Sequence, residues 1–103
     1  MYIMSLNIHK IKPLEFDWDE ANKNKSWKKH RVDFRESEQV FFNKPLKFFS
    51  DDKHSQKEER FTAFGMTNKG RKLTLILTIR ESRLRIISAR DMSKKERKVY
   101  EKA

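Results

Sequence analysis

The alternation of apolar and polar positions in the second half of the chain predicts an antiparallel β-meander. Residues 73–79 place Leu or Ile at every second position, so these side chains share one face of a strand. Residues 61–66 and 84–89 also have strand-like patterns, and the polar segments 67–70 and 80–83 separate the three strands. Turns this short join antiparallel neighbours, because a parallel pair needs a long crossover.

Two helices are predicted ahead of the meander. Asp17 or Asp19 caps the first helix, which runs to about His30, where basic residues suit the negative end of the helix dipole. The second helix begins after Asp33, and Glu36 three residues later completes a capping-box pattern.

A charged helix over residues 92–102 is predicted to follow the sheet, with Ser93 as its cap and Glu96 as the partner of that cap. Short strands are predicted over 14–18 and 46–50. Two helices on one face of an antiparallel sheet make an α+β domain, whose other face is then expected to be open for binding. The predicted organisation is an N-terminal extension, residues 1–13, followed by one domain, residues 14–103.

The charge balance points to a polyanionic partner. The chain has 25 Lys and Arg against 15 Asp and Glu, a formal net charge of +10. Such a field attracts RNA, DNA, an acidic protein or an anionic membrane, although net charge also serves solubility alone. There is no cysteine, and no apolar run approaches the roughly 20 residues of a membrane span. We therefore expect a cytoplasmic protein that is not a membrane protein.

Arginines concentrate in the meander. On the third strand, Arg80 lies at one of the alternate positions that point away from the Leu face. On the fourth strand, Arg83 and Arg85 are two residues apart and therefore share one face. With Arg60 and Arg90 they form a set whose guanidinium groups match phosphate oxygens. The alternative is a solvated sheet face on which each arginine pairs with a nearby glutamate. The phosphate-binding hypothesis requires the guanidinium groups to converge on one surface.

The chemistry left open by the motifs is RNA cleavage without a metal ion. No His-Glu-x-x-His or similar ligand spacing occurs, and two glycines cannot form a Gly-rich phosphate loop, so we expect no metal and no cofactor. In metal-free cleavage a base removes the 2′-hydroxyl proton, cations stabilise the crowded phosphate and an acid protonates the leaving oxygen. The candidates for proton transfer are His54, His30 and Glu58.

Several short motifs follow one another between residues 15 and 102, and together they resemble those of the BrnT family of ribonuclease toxins, in the RelE-like superfamily. They are Phe16-Asp17-Trp18-Asp19, Lys29-His30 followed by Val32 and Phe34, Val40-Phe41, Asn43-Lys44-Pro45-Leu46, His54-Ser55 with Glu58-Glu59-Arg60-Phe61, Gly65, Arg83-Leu84-Arg85-Ile86-Ile87-Ser88-Ala89-Arg90, and Glu96-Arg97-Lys98-Val99-Tyr100-Glu101.

The resemblance implies a RelE-like compact domain, with two N-terminal helices packed on one face of an antiparallel sheet and a C-terminal helix. It also implies RNA cleavage that blocks translation, and neutralisation by a BrnA-like antitoxin with a ribbon-helix-helix domain. Operator DNA is contacted only through that antitoxin, and the complex represses its own operon. We predict His54, Glu58, Arg60, Arg83 and Arg90 as catalytic residues, and Lys29, His30, Arg80 and Arg85 as RNA-binding residues.

Three positions depart from the family pattern. Arg31 replaces a glycine after Lys-His, Asn22 stands at the position of a lysine, and Ser26 replaces an asparagine. These departures keep a second hypothesis open, a catalytically weak or inactive basic module that acts only in an antitoxin–DNA complex. Expression of the chain alone, with growth and RNA integrity followed, distinguishes the two hypotheses.

Overall fold

The four strands form one antiparallel sheet in which each strand pairs with its neighbours in sequence, which confirms the α+β class and the predicted meander. The structure is a computed structural model that describes residues 15–51 and 58–102. Its elements are α1 (Lys25–His30), α2 (Phe34–Gln39), a 3₁₀ turn (Val40–Phe42), β1 (Lys47–Ser50), β2 (Arg60–Met66), β3 (Lys72–Arg80), β4 (Arg83–Asp91) and α3 (Lys94–Lys102).

The first face of the sheet bears the main core, as the alternation in β3 predicts. Val32 follows α1, and Val40 and Phe41 follow α2; all three are buried against this face. Burial of such side chains supplies most of the driving force for folding. The sheet side of this core consists of Phe48, Phe61, Ala63, Leu73, Leu75, Leu77, Leu84, Ile86 and Ala89.

Both predicted capping boxes are confirmed. Asp33 accepts a hydrogen bond from the backbone N–H of Arg35 at 2.8 Å, and Glu36 accepts one from the backbone N–H of Asp33 at 3.1 Å. Ahead of α3, the Ser93 hydroxyl and the Glu96 carboxylate accept each other's backbone N–H at 3.1 and 2.8 Å. Each box satisfies helix-end donors that would otherwise lack a partner.

The prediction that the first helix starts directly after Asp17 or Asp19 is wrong. Residues 20–24 form a turn, and α1 begins only at Lys25. The reason is the Asn22 side chain, whose Oδ1 accepts the N–H of Asp19 at 2.8 Å and whose Nδ2 donates to the carbonyl of Asp17 at 3.0 Å. An asparagine that bonds to nearby backbone competes with helix formation.

The predicted strand over 14–18 is reduced to one parallel bridge between Phe16 and Leu84, on the outer edge of β4. Leu84 donates its N–H to the carbonyl of Glu15 at 2.9 Å and accepts from the N–H of Asp17 at 2.8 Å. The predicted extension, residues 1–13, lies outside the described residues.

The sequence led us to expect an open second face of the sheet. This face is only partly open, because α3 covers one end of it. Met92 and Tyr100 form a small core with Phe49 and Phe64 of the first two strands. The Tyr100 hydroxyl donates to the carbonyl of Pro45 at 2.7 Å, which fixes the end of α3 beside β1. The open part of this face lies toward the β3–β4 turn.

A β-bulge in β4 changes which side chains share this second face. Ile76 pairs with Ser88 but Leu77 pairs with Ile86, so Ile87 has no partner in β3. One unpaired residue inverts the alternation beyond it. Arg90 therefore lies on the same face as Arg85, although simple sequence parity would separate them.

Candidate functional site

A cleft of about 170 Å³ opens on the second face, where the turn before α1 approaches the ends of β2, β3 and β4. It contains three of the five arginines singled out from the sequence. Its lining residues are Ala21, Asn22, Lys25, Glu58, Arg60, Arg80, Arg85 and Ile87.

The strand register places two of these arginines in one row across the sheet. Thr78 of β3 pairs with Arg60 of β2 on one side and with Arg85 of β4 on the other. Neighbouring strands lie about 4.8 Å apart, so the two arginine Cα atoms are separated by about 10 Å. Thr78 is buried between them and donates its hydroxyl to the carbonyl of Glu59 at 2.7 Å. The row is therefore held by the backbone ladder rather than by a loop.

Glu58 and Arg80 form a two-pronged ion pair at the edge of the cleft. The guanidinium donates to the two carboxylate oxygens at 2.9 and 3.0 Å. This hydrogen bonding lowers the pKa of Glu58, and the positive charges of Arg80, Arg60 and Arg85 lower it further against the opposing effect of desolvation. Glu58 is consequently a carboxylate at neutral pH, able to accept a proton or to orient a donor.

Arg85 is held by two carboxylates from the segment before α1. Asp19 accepts from its two terminal nitrogens at 3.0 and 3.2 Å, and Asp17 lies 3.5 Å from Nη1. The hydrogen bonds from Arg85 lower the pKa of Asp19. The Arg85 side chain is 12% exposed, so its guanidinium is fixed in direction. Planar, preorganised donors of this kind suit phosphate oxygens.

Asn22 and Ser26 bind the outer edge of β4 on either side of the bulge. Asn22 Nδ2 donates to the carbonyl of Ile86 at 3.0 Å, and the Ser26 hydroxyl accepts the N–H of Ala89 at 2.8 Å. Both backbone groups lie on the outer edge of β4, the side that does not face β3. Two of the departures from the family pattern thus have a structural role here, which the sequence alone did not reveal.

Arg83 and Arg90 share the second face but do not line the cleft. Arg83 lies at the β3–β4 turn with its Nη2 3.6 Å from Glu81. Arg90 donates to both oxygens of Glu96 at 2.6 and 2.9 Å. Its partner in β3 is Thr74, four residues from the partner of Arg85, a spacing of about 13 Å along the strand. The five arginines therefore converge only in part, and Arg80, Arg85 and Arg90 each form a two-pronged pair with a carboxylate.

The remaining predicted residues divide by position. Lys29 and His30 lie in the last turn of α1 and do not line the cleft, whereas Lys25, which the sequence did not single out, does. The sequence of α1 does not distinguish Lys25 from the other lysines of the helix. His54 lies outside the described residues.

Arg71 is a structural residue that the sequence analysis missed. Its guanidinium donates to both oxygens of Asp91 at 2.7 and 3.0 Å and to Glu36 at 3.2 and 3.3 Å. It also donates to the carbonyls of Arg31 and His30. The residue connects the α1–α2 junction with the end of β4, away from the cleft.

Within residues 15–51 and 58–102, no three His, Cys, Asp or Glu side chains are grouped as metal ligands. In the same part of the chain, none of the helices has the length and apolar character needed to cross a bilayer.

Comparison with known proteins yields one family. The family model described as "Ribonuclease toxin, BrnT, of type II toxin-antitoxin system" matches residues 18–96. No curated protein matches the sequence. The matched span contains every residue that lines the cleft.

Proposed function

The chain belongs to the BrnT family of ribonuclease toxins of type II toxin–antitoxin systems, and from this premise we propose that it cleaves RNA in the cleft without a metal ion. The observation that carries the proposal is the row of Arg60 and Arg85 on either side of Thr78, with the Glu58 carboxylate in the same cleft. A metal-free transesterification requires a base, cations that stabilise the phosphate and an acid, and the cleft contains a carboxylate and cations for the first two roles.

In the proposed reaction Glu58 accepts the proton of the ribose 2′-hydroxyl. The 2′-oxygen then attacks the adjacent phosphorus, the bond from phosphorus to the 5′-oxygen breaks, and a 2′,3′-cyclic phosphate forms. We assign protonation of the departing 5′-oxygen to His54, which precedes Glu58 by four residues. Arg60 and Arg85 stabilise the charge that accumulates on the non-bridging oxygens.

The carboxylates on the arginines occupy the positions that phosphate would take. For Arg85 we propose that an RNA phosphate replaces Asp19, an exposed partner, while Arg80 keeps its bond to Glu58. Because the Arg85 guanidinium is already directed by its neighbours, replacing one anion by another costs little side-chain entropy. Arg83, Arg90, Lys29 and His30 are proposed to contact phosphates on either side of the scissile one.

The type II family implies an antitoxin partner. We propose that it is a BrnA-like protein with a ribbon-helix-helix domain, that it covers the basic cleft, and that the complex represses its own operon through that domain. We further propose that the domain is RelE-like, with α1 and α2 on one face of the sheet, and that it acts in the cytoplasm. The net charge of +10 suits both RNA and an acidic covering segment.

One observation favours a second candidate, an inactive binding module. Arg80, Arg85 and Arg90 each pair with a carboxylate in two-pronged geometry. If these pairs are permanent, the cleft presents few cations to RNA, and the domain acts only in complex with its antitoxin.

Purified protein, incubated with a labelled RNA in EDTA, distinguishes the two candidates. Glu58→Gln should slow cleavage by about 10²-fold or more, and Arg60→Ala and Arg85→Ala by a similar factor. Arg97→Ala, an exposed arginine on α3, is the matched control and should cut at the wild-type rate. Thermal unfolding of each variant separates loss of chemistry from loss of fold.

Full activity in all three cleft variants would place the site elsewhere. Intact RNA and normal growth with the wild-type chain would favour the inactive module. Activity that disappears in EDTA and returns with a divalent cation would refute the metal-independent mechanism.

A further inference from the structure

Trp27 is a large apolar side chain in an unusual position. It lies in the middle of α1, and 46% of its surface is exposed. The helix directs the preceding residue, Ser26, into the sheet, where its hydroxyl binds the N–H of Ala89. Trp27 is not among the residues that form or border the main core, so much of its indole is available to another molecule.

The surface around the indole is cationic. Arg31 lies over the ring with its guanidinium carbon 5.2 Å from the ring centroid, and in the described part of the chain it is the only cation so placed on Trp27. Lys28 and Lys29 are exposed on the same helix. The sequence of α1, KSWKKH, contains no acidic residue. An exposed aromatic ring bordered by Arg and Lys is typical of surfaces that bind single-stranded nucleic acid.

Helix geometry relates this surface to the cleft. Lys25 lines the cleft, and Trp27, two residues later, is rotated by about 200° around the helix axis. Lys28 lies between them on the outer side of the helix. A helix with its side chains is about 10–12 Å wide. A single-stranded nucleic acid that leaves the cleft at Lys25 therefore reaches the indole of Trp27 after crossing the width of one basic helix.

We propose that Trp27 is a stacking subsite for a nucleobase of single-stranded RNA that flanks the scissile phosphate. The base would lie on the indole beside Arg31, and the lysines of α1 would bind the connecting phosphates. The identity of the ligand rests on the proposed ribonuclease function. RNA fits better than an acidic protein segment because an exposed ring beside a guanidinium can stack with a nucleobase while the lysines of α1 bind its phosphates.

The test measures binding without cleavage. Labelled 2′-O-methyl oligonucleotides of two and eight residues cannot be cut, because the attacking hydroxyl is blocked, and their fluorescence polarisation gives a Kd for each. Trp27→Ala should weaken octanucleotide binding by about tenfold and leave dinucleotide binding unchanged. Trp27→Phe should restore part of the affinity, because a smaller ring still stacks. Phe42→Ala is the matched control, since Phe42 is 65% exposed and lies on another element.

Equal octanucleotide binding by wild type and Trp27→Ala would overturn the subsite, as would an equal loss for both lengths. An unchanged RNA affinity with a weakened antitoxin complex would also overturn it, and would assign Trp27 to the protein partner. If octanucleotide binding depends on Trp27 while wild-type protein cleaves no RNA, the subsite stands and the proposed catalytic function fails.

Discussion

Arg31 occupies a backbone conformation that favours glycine, and its replacement offers a direct measure of that strain. The residue ends α1 with φ 54° and ψ 37°, in the left-handed region, while its N–H donates to the carbonyl of Trp27 at 3.0 Å. A residue with a Cβ pays about 1–2 kcal/mol in this region. Its backbone carbonyl accepts a hydrogen bond from Arg71, which any residue at this position would keep.

Arg31→Gly removes the strain but also the contact of the guanidinium with Trp27, which is worth about 0.5 kcal/mol at an exposed site. We therefore expect Arg31→Gly to be more stable than wild type by about 0.5 kcal/mol. Arg31→Ala loses the contact and keeps the strain, so the free energy of unfolding of Arg31→Gly should be about 1 kcal/mol higher than that of Arg31→Ala. Urea unfolding measures the difference, which corresponds to about 4–8 °C in Tm for a chain of this size. Equal stability of the two variants would refute the strain argument.

Two further predictions concern stability. Burial alone would raise the pKa of Glu96, but hydrogen bonds from Arg90, the Ser93 N–H and Thr74 lower it from 4.5 to about 2. Because the pKa of Glu96 is lower in the folded than in the unfolded protein, its ionised carboxylate stabilises the fold above about pH 4.5, and this stabilisation is lost as pH falls toward 2. It amounts to about 3 kcal/mol of unfolding free energy. Urea unfolding at a series of pH values should show this acid-dependent loss in the wild type and not in Glu96→Gln. Gly65→Ala would place a Cβ 2.4 Å from Val40 Cγ1 and should lower the free energy of unfolding by about 1–3 kcal/mol. The same change in a Val40→Ala background should lower it by less, because the clashing methyl group is absent. Equal losses in both backgrounds would contradict the clash.

Local chemistry made much of the fold predictable. The capping boxes at Asp33 and Ser93 depend on residues three positions apart, and the meander depends on strict alternation in β3. These signals act within a single element, so the sequence displays them directly. The start of α1 was predicted wrongly because a distant strand takes part in it: Asn22 bonds to Ile86 as well as to its own turn.

Features that join distant segments were not predictable in the same way. The bulge at Ile87 has no signature within β4. The side chains that bind the edge of β4 on either side of it, Asn22 and Ser26, come from the first third of the chain. The position of α3 on the second face is set by Phe49 and Phe64, whose side chains a period-two pattern cannot distinguish from solvent-facing ones.

The candidate site shows the same division. Strand parity brought Arg80 and Arg85 to one face, and the cleft contains both. Parity could not show that Arg60 and Arg85 share a row through Thr78, because that depends on register between strands separated in sequence. Lys25 enters the cleft because α1 crosses β4, a tertiary arrangement with no sequence signal.

The bridge between Phe16 and Leu84 has a consequence for self-association. A sheet accepts a strand from another molecule only along an edge whose backbone groups are unpaired. The short segment before α1 already occupies part of the outer side of β4. Among the described residues, no strand pairs with the outer side of β1, which spans only Lys47–Ser50. An intermolecular ladder that begins on β1 would start from a border of four residues, which limits how long it can become.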